Sequence, residues 1–294
     1  MNLRVPGPTP LPPAVTQALA RPMINHRGPE FAALLKRITE ELRWAFQTKH
    51  DVVTLTASGT GGLEAAIANL FSSGDRVLSV SCGAFGERFA KIASVYGLEV
   101  DRLDVPWGQA AQPAQIAARL DGGNHLAVLV THNETSTGIT NPLAEIVRAG
   151  RAVRPDILVV VDAISSLGAI DLKTDEWDCD VVITGSQKAF MIPPGLAMLS
   201  LSPRAWEANS RSKLPRFYLD LLSAKKSAEK GETPATPAVS LYFALEAGLE
   251  LMRQEGLAQI FDRHTRIGQR TRVGVKALGL DLFADPRYAS NTVT

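Results

Sequence analysis

Short apolar runs alternate with stretches of helical periodicity through residues 52–201, and this alternation constrains the fold more than any other feature of the chain. The apolar runs predict seven strands, at residues 52–56, 76–80, 99–105, 126–131, 158–162, 181–184 and 197–201. Apolar spacing predicts helices at residues 29–47, 62–71, 87–96, 113–120 and 143–153. Strands that alternate with helices are typical of an α/β fold, so we expect a mostly parallel seven-stranded sheet sandwiched by helices.

The chain has 294 residues, which is enough for a large domain and a smaller one. Residues 223–230 (SAKKSAEK) predict an exposed loop or a fraying turn, and residues 239–278 predict one long helix. We therefore expect a large domain over residues 1–240, with an irregular amino-terminal segment, and a linking helix with the start of a small domain over residues 241–294. The last four residues, NTVT, resemble the opening of a strand, so we expect the small domain to be incomplete and the chain to be truncated there.

Charge and composition argue against several classes of protein. The formal net charge is +1, which gives no basic field to attract nucleic acid or an anionic membrane. No apolar run approaches the roughly 18 residues of a membrane helix, and the amino terminus lacks the apolar core of a signal peptide. Cys82 and Cys179 fit no metal-binding spacing and indicate no disulfide framework. We expect a cytoplasmic protein with no nucleic-acid or membrane partner.

Polar clusters follow four of the predicted strands. They are residues 57–62 (ASGTGG), 132–138 (HNETSTG), 162–166 (DAISS) and 185–188 (GSQK). In open parallel sheets, ligands bind in the crevice at the carboxyl ends of the strands. We therefore expect the four clusters to meet at one edge of the sheet and to form a binding site there.

The first cluster has the features of an anion-binding turn. Ser58, Gly59 and Thr60 lie between a strand and a helix, where free backbone N–H groups attract a phosphate and glycine allows close approach. By itself a glycine-rich turn is nonspecific. It is not a Walker loop, since no Gly-Lys-Ser/Thr follows, and it does not match a dinucleotide fingerprint.

Asp162 and Lys188 each allow two interpretations. Asp162 closes an apolar run, where it could cap a helix or hold a cation or a protonated ring nitrogen. Lys188 could be a solvated loop charge or an amine directed into the crevice. The two residues are 26 positions apart, the length of one step between neighbouring parallel strands. They could therefore act as a pair.

A phosphate site, an acidic partner and an amine nucleophile together suit pyridoxal phosphate. This cofactor carries a phosphate, a pyridine nitrogen and an aldehyde, and its enzymes supply an anion site, a carboxylate and a lysine that forms the Schiff base. Near the cofactor, Lys188 is expected to have a depressed amine pKa and to move the substrate's α-proton as a general base. Phe85 follows the second strand between glycines, where it could stack on the ring or belong to the core.

The chain resembles fold-type I pyridoxal-phosphate enzymes, specifically class V aminotransferases of the alanine–glyoxylate and serine–glyoxylate (serine–pyruvate) kind. The matching segments lie in order over residues 5 to about 250 and include PGPTPLPPAV, NHRGPEF, SGTGGLEAA, GAFGERF, THNETSTG, VDAISSLGAI, GSQKAFMIPPGLA and TPATPAVSLY. The resemblance implies that Lys188 holds the cofactor as an aldimine and that Asp162 faces the pyridinium nitrogen. It also implies the remaining cofactor contacts, which are Ser58, Gly59, Thr60, Phe85, Thr135 and Gln187.

The resemblance also implies a homodimer with shared active sites. Thr236, with Thr233 as a further candidate, is expected to reach the cofactor phosphate of the neighbouring subunit. Gly7 and Arg27 lie in segments that the family keeps near the site, and Gly7 is the candidate for substrate contact.

In one respect the chain departs from the family, whose substrate carboxylate is bound by an arginine of the small domain. The chain ends at Thr294, before that region, and none of its arginines is assigned this role.

These observations predict an aminotransferase that moves the amino group of a small amino acid, serine or alanine, to a 2-oxo acid, glyoxylate or pyruvate. Two alternatives remain open at this point. One is a lyase or cysteine desulfurase of the same fold, which would need a mobile cysteine above the substrate. The other is a truncated paralogue that binds the cofactor without turnover.

Overall fold

A computed structural model describes residue 3 and residues 5–294 of the chain. Helices and strands alternate over residues 51–131, as the sequence predicts, whereas the later strands are not all separated by helices. In chain order they are α1 (Pro13–Leu19), α2 (Pro29–Phe46), β1 (Asp51–Thr56), α3 (Gly59–Leu70), β2 (Arg76–Ser81), α4 (Ala84–Val95), β3 (Glu99–Asp104), α5 (Pro113–Leu120), β4 (Ala127–Thr131), β5 (Asn133–Glu134), β6 (Ile139–Thr140), α6 (Leu143–Val153), β7 (Leu158–Asp162), β8 (Val181–Gly185), β9 (Leu196–Leu201), α7 (Pro203–Arg211), α8 (Leu221–Ala228), α9 (Val239–Glu255) and α10 (Leu257–Ala277).

The central sheet has seven strands in the order β1-β9-β8-β7-β4-β2-β3. β9 is antiparallel to both of its neighbours, and the other pairs are parallel, so six strands run in one direction. The predicted mostly parallel sheet is confirmed. Its central strands β4, β7 and β8 are buried at every position, as expected for a sheet covered on both faces.

Helices cover both faces of the sheet with apolar side chains. On one face, Phe31, Leu34 and Ile38 of α2 pack together with buried residues of α9 such as Tyr242 and Leu249. On the other face, α3, α4, α7 and α8 contribute buried residues to a second apolar layer. The polar clusters lie at one edge of the sheet. Because the two apolar layers pack against opposite faces of the sheet, they hold the strand ends in fixed positions.

The predicted continuous helix over residues 239–278 is instead two helices. α9 ends at Glu255 and α10 begins at Leu257, with Gly256 between them at φ 85° and ψ 142°. This backbone conformation is open almost only to glycine, so the break is built into the sequence at this position. The division of the chain into domains over residues 1–240 and 241–294 stays a prediction.

Two other local predictions are wrong. Residues 223–230 were expected to form an exposed loop or a fraying turn, but most of them belong to α8, whose first turn is capped by Asp220 accepting a hydrogen bond from the Ser223 N–H at 2.8 Å. Leu221 and Ala224 then anchor the helix in the core. Residues 291–294 form no strand; the Thr292 hydroxyl accepts a hydrogen bond from the Asn133 amide at 3.1 Å and donates to the Ser165 carbonyl at 3.3 Å, whereas Asn291 donates to Thr265 of α10. In the described part of the chain, every helix is too short or too polar to cross a bilayer.

Candidate active site at the carboxyl edge of the sheet

The four polar clusters meet at one edge of the sheet, as predicted. β1, β4, β7 and β8 run in the same direction, so their carboxyl ends face the same side. A Cβ atom built on Gly185 would lie 3.5 Å from the Gly59 Cα atom, which brings the ends of β8 and β1 together. Asn133, after β4, donates a hydrogen bond to the Ser165 Oγ atom, after β7, at 2.9 Å.

Lys188 lies in the connection between β8 and β9, whose path is fixed by Ser186. The buried Ser186 hydroxyl donates to the Pro193 carbonyl at 2.7 Å and accepts from the Leu196 N–H at 3.2 Å, which closes the loop at its base. The Lys188 side chain is half-buried, and its Nζ atom donates to the Pro6 carbonyl at 3.4 Å. Desolvation by burial lowers the pKa of its amine, and Asp162 partly opposes that shift. The structure therefore excludes a freely solvated loop charge.

The amino-terminal segment packs directly against this lysine. Thr9 donates through its backbone N–H to the Gln187 carbonyl at 3.1 Å and through its hydroxyl to the Lys188 carbonyl at 3.1 Å. A Cβ atom built on Gly7 would lie 2.7 Å from the Lys188 Nζ atom. A side chain at position 7 would therefore displace the Lys188 amine from its observed position.

Asp162 ends β7 and is 3% exposed. Its Oδ1 atom accepts a hydrogen bond from the Ile164 N–H at 3.0 Å, and no helix begins here, so the helix-cap interpretation is wrong. Burial raises the pKa of Asp162 to about 7 and the charge of Glu134 adds to the rise, whereas the Ile164 N–H, Arg88 and Lys188 oppose it. A buried carboxylate whose charged form is destabilised by burial gains stability from a cationic partner, such as a protonated ring nitrogen.

The turn after β1 begins helix α3 and has the geometry of an anion site. Ser58 is the N-cap, and its hydroxyl accepts from the Gly61 N–H at 3.4 Å. The N–H groups in the first turn of a helix have no intrahelical acceptor, so they are available to an anion. A Cβ atom built on Gly59 would lie 2.6 Å from the Ile164 Cδ1 atom. Gly59 therefore lets this helix start pack against the segment that follows Asp162.

Phe85 and Thr135 border the same edge from α4 and from the segment after β5. The guanidinium of Arg88 lies 4.9 Å from the centre of the Phe85 ring and donates to the Thr60 hydroxyl at 3.4 Å. The Thr135 hydroxyl donates to the Ser165 Oγ atom at 2.9 Å. Sequence reasoning assigned no role to Ser165, although it stands in the DAISS cluster, because its partner belongs to a different strand.

The residues present fit pyridoxal phosphate. The side-chain oxygen of Gln187 is buried without a hydrogen-bond partner among the described residues, so this amide has polar capacity that the protein itself does not use. The buried Asp162 carboxylate, the desolvated Lys188 amine and the start of α3 supply sites for a ring nitrogen, an aldehyde and a phosphate, respectively. A cavity of about 210 Å³ opens beside Lys188 and is bordered by Ser165.

Comparison with known proteins decides the family. Residues 3–293 match the family described as aminotransferase class-V. The chain belongs to this family. Its cofactor is therefore pyridoxal phosphate, in agreement with the fit of the site, and the enzyme is of the transaminase type.

Three related proteins show how far the similarity of this aminotransferase extends. A protein named soluble hydrogenase, small subunit, of Synechococcus sp. (strain PCC 6716) is 48% identical over 99% of this chain and 77% of its own length. L-aspartate–glyoxylate aminotransferase of Paracoccus denitrificans (strain Pd 1222) is 39% identical over 99% of this chain and 74% of its own. The crystal structure of alanine–glyoxylate aminotransferase from Nostoc sp. superposes with a TM-score of 0.93, at 31% identity, over 98% of this chain and 77% of its own.

Three predicted residues of the aminotransferase lie apart from Lys188. Thr233 and Thr236 border a separate cavity of about 300 Å³, together with Phe217 and Tyr218. Arg27 is exposed and forms an ion pair with Glu232 at 3.0 Å, which ties the start of α2 to the same loop. The placement of Thr236 leaves open its expected contact with a neighbouring subunit, which stays a prediction.

The cysteines of the aminotransferase lack the properties that a desulfurase requires. Cys82 and Cys179 are both buried, and burial raises the pKa of the Cys82 thiol to about 11 and that of the Cys179 thiol still further. A nucleophilic cysteine needs an exposed sulfur with thiolate character. Neither residue therefore supports the desulfurase alternative.

Proposed function

We propose that this aminotransferase transfers the amino group of serine or alanine to glyoxylate or pyruvate, with Lys188 as the catalytic amine. The observation that carries the proposal is the pairing of a half-buried lysine, whose pKa is lowered by desolvation, with a fully buried aspartate at the end of the adjacent strand. Glyoxylate appears in the names of both the Paracoccus relative and the Nostoc structure, which supports it as the acceptor.

Each residue of the site has a proposed task. When bound, pyridoxal phosphate supplies an aldehyde that takes up the amino group and a ring that withdraws electrons from the substrate's α-carbon. Lys188 would remove the substrate's α-proton at its Nζ atom, because desolvation favours its neutral amine, and would hold that proton beside the substrate. Asp162 holds the ring nitrogen in its protonated form. The other proposed cofactor contacts are Ser58, Gly59 and Thr60 at the phosphate, with Phe85, Thr135 and Gln187 around the ring.

We also propose that the active enzyme is a homodimer in which Thr236 contacts the phosphate site of the partner. The support is an apolar surface beside that threonine: Phe217 is 94% exposed and Tyr218 is 55% exposed. Isolated exposed apolar side chains are common, but two large aromatic residues at a cavity indicate a contact surface. Gly7 is proposed to border the substrate, and residues 241–294 to begin the second domain.

The test is a screen of amino donors with glyoxylate and with pyruvate, using the purified chain loaded with pyridoxal phosphate. Serine or alanine is expected to be consumed fastest, and Lys188→Ala is expected to lose about 10²- to 10⁴-fold in rate, the usual contribution of a general base. Lys173→Ala is the matched control, since Lys173 is a surface lysine paired with Glu176. A Lys188→Ala variant as active as the parent would show that the amine is misassigned. Faster turnover of L-aspartate than of serine or alanine would show that the proposed amino donor is wrong, whereas the family assignment would stand.

A further inference from the structure

Glu134 is a fully buried carboxylate that the proposed chemistry does not use. Its relative exposure is 0%. Its oxygens accept hydrogen bonds from the Phe85 N–H at 3.1 Å, the Gly86 N–H at 3.0 Å and the Ser136 N–H at 3.1 Å. The Ser136 hydroxyl donates to it as well, at 2.6 Å. All four partners are donors, so the site is matched to a group that only accepts, which is a carboxylate.

These contacts make Glu134 the cap of a helix far away in the sequence. α4 begins at Ala84, and its N-cap residue Gly83 supplies no side-chain acceptor. The Glu134 carboxylate takes that place from a strand 49 residues further along the chain than Phe85. Negative charge at a helix amino terminus is favourable, and N–H groups bound to a charged acceptor form strong hydrogen bonds. The first turn of α4 is therefore fixed to the segment after β4.

Close packing leaves little freedom between the two segments. A Cβ atom built on Gly83 would lie 2.5 Å from the Glu134 Cγ atom and 2.5 Å from the Ser136 Oγ atom. The Ala84 N–H also donates to the Ser136 Oγ atom at 2.9 Å. A side chain at position 83 would therefore displace the carboxylate from the start of the helix.

Two proposed cofactor contacts depend on the hydrogen bonds between Glu134 and the start of α4. Phe85 receives its backbone position directly from Glu134, and Thr135 is the next residue along the chain, with its hydroxyl held by Ser165 at 2.9 Å. We propose that Glu134 is a positioning residue that sets the relative placement of Phe85 and Thr135, and thereby the affinity and orientation of bound pyridoxal phosphate. The inference rests on the proposed roles of those two residues.

The test compares the parent, Glu134→Gln and Ser136→Ala, each as the full chain titrated with pyridoxal phosphate. Glutamine keeps the shape but places an NH₂ donor against backbone N–H groups, so the cofactor Kd is expected to rise about 10- to 100-fold. Ser136→Ala removes two hydrogen bonds of the Ser136 hydroxyl, one donated to Glu134 and one accepted from the Ala84 N–H, and is expected to raise the Kd roughly 2- to 10-fold. The Ser136→Ala variant also allows the proposal to be tested if Glu134→Gln fails to fold. The circular dichroism band of the bound cofactor is expected to change in both variants, because the cofactor's orientation changes.

Asp180→Asn provides a matched control for the loss of a buried carboxylate. Asp180 is buried at the opposite end of β8, where it accepts from the Ser202 hydroxyl at 2.7 Å and the Val159 N–H at 2.9 Å and forms ion pairs with Arg151 and Arg204. This variant is expected to lower the Tm and to leave the cofactor Kd and dichroism band unchanged. The inference is overturned if Glu134→Gln lowers only the Tm, or if Asp180→Asn changes the cofactor signals equally. A parent chain that binds no pyridoxal phosphate would instead overturn the proposed function, together with this inference.

Discussion

Asp162 makes the stability of the cofactor-free protein depend on pH. Its pKa is about 7 in the folded chain, against about 4 in an unfolded one. A folded-state pKa that is raised means that the folded protein keeps the proton longer. Stability from this group is therefore full below about pH 4 and declines as pH rises toward about 7, by an amount on the order of a few kcal/mol.

We therefore expect Asp162→Asn to flatten the decline in stability of the cofactor-free protein between about pH 4 and pH 7. Urea unfolding of the two proteins across this range measures the difference. His132 is also buried, with its pKa lowered to about 4, but it titrates in both proteins and cancels in the comparison. The same variant should bind pyridoxal phosphate more weakly, because it lacks the carboxylate proposed to face the ring nitrogen. Parallel stability curves for the two proteins would show that Asp162 does not titrate as described.

At the scale of single residues, the sequence was sufficient where a side chain follows a strand end. Asp162 and Lys188 could be placed because parallel strands bring their carboxyl ends to one edge. Glu134 and Ser165 stood in the same quoted clusters, but their tasks could not be predicted. Those tasks depend on which backbone group lies within about 3 Å of each side chain, and that information comes only from the packing of distant segments.

Among the elements, the α9–α10 junction offers the sharpest test. Gly256→Ala must place a Cβ at φ 85°, where it would also meet the Gln259 side chain at 2.5 Å. We expect the free energy of unfolding to fall by about 1–3 kcal/mol, the usual cost of a side chain in such backbone conformations. Denaturant unfolding measures the change, and an unchanged midpoint would contradict the described break.

A matched glycine in the next helix should respond in the opposite direction. Gly274 is exposed within α10, and a Cβ built there meets nothing within 4 Å. Gly274→Ala is therefore expected to stabilise the protein by about 0.5–1 kcal/mol through helix propensity. The contrast separates backbone strain at Gly256 from any general effect of adding a methyl group.

Strand positions were more predictable than the carboxyl-terminal helices. Each predicted end of the seven strands lies within one residue of the observed end, because continuous apolar runs mark buried parallel strands. α8 was missed because its SAKKSAEK segment is mostly polar, and only its contacts through Leu221 and Ala224 stabilise it. The break at Gly256 was missed because helical periodicity continues on both sides of it.

For the whole molecule, the exposed aromatic pair predicts self-association. If Phe217 and Tyr218 form the contact between two copies, Phe217→Asp should shift the mass measured by light scattering from dimer toward monomer, since a charge is costly in a desolvated interface. It should also weaken cofactor binding, because Thr236 of each copy would no longer reach the other's site. Val273→Asp is the control, as Val273 is 69% exposed on α10. A parent chain that is monomeric at all concentrations would rule out the shared site.

The strand order has a consequence for how Lys188 is positioned. β1 has β9 as its neighbour in the sheet, and the two strands begin at Asp51 and Leu196, so closing this edge requires a contact across a long stretch of chain. Lys188 is carried by the connection that leads into β9. Lys188 therefore comes into place only when β9, the last of the seven strands along the chain, lies between β8 and β1. The cavity beside it is completed by residues from both ends of the chain, among them Pro6, Met252 and Thr292, so the surroundings of this amine depend on segments that are far apart in the sequence.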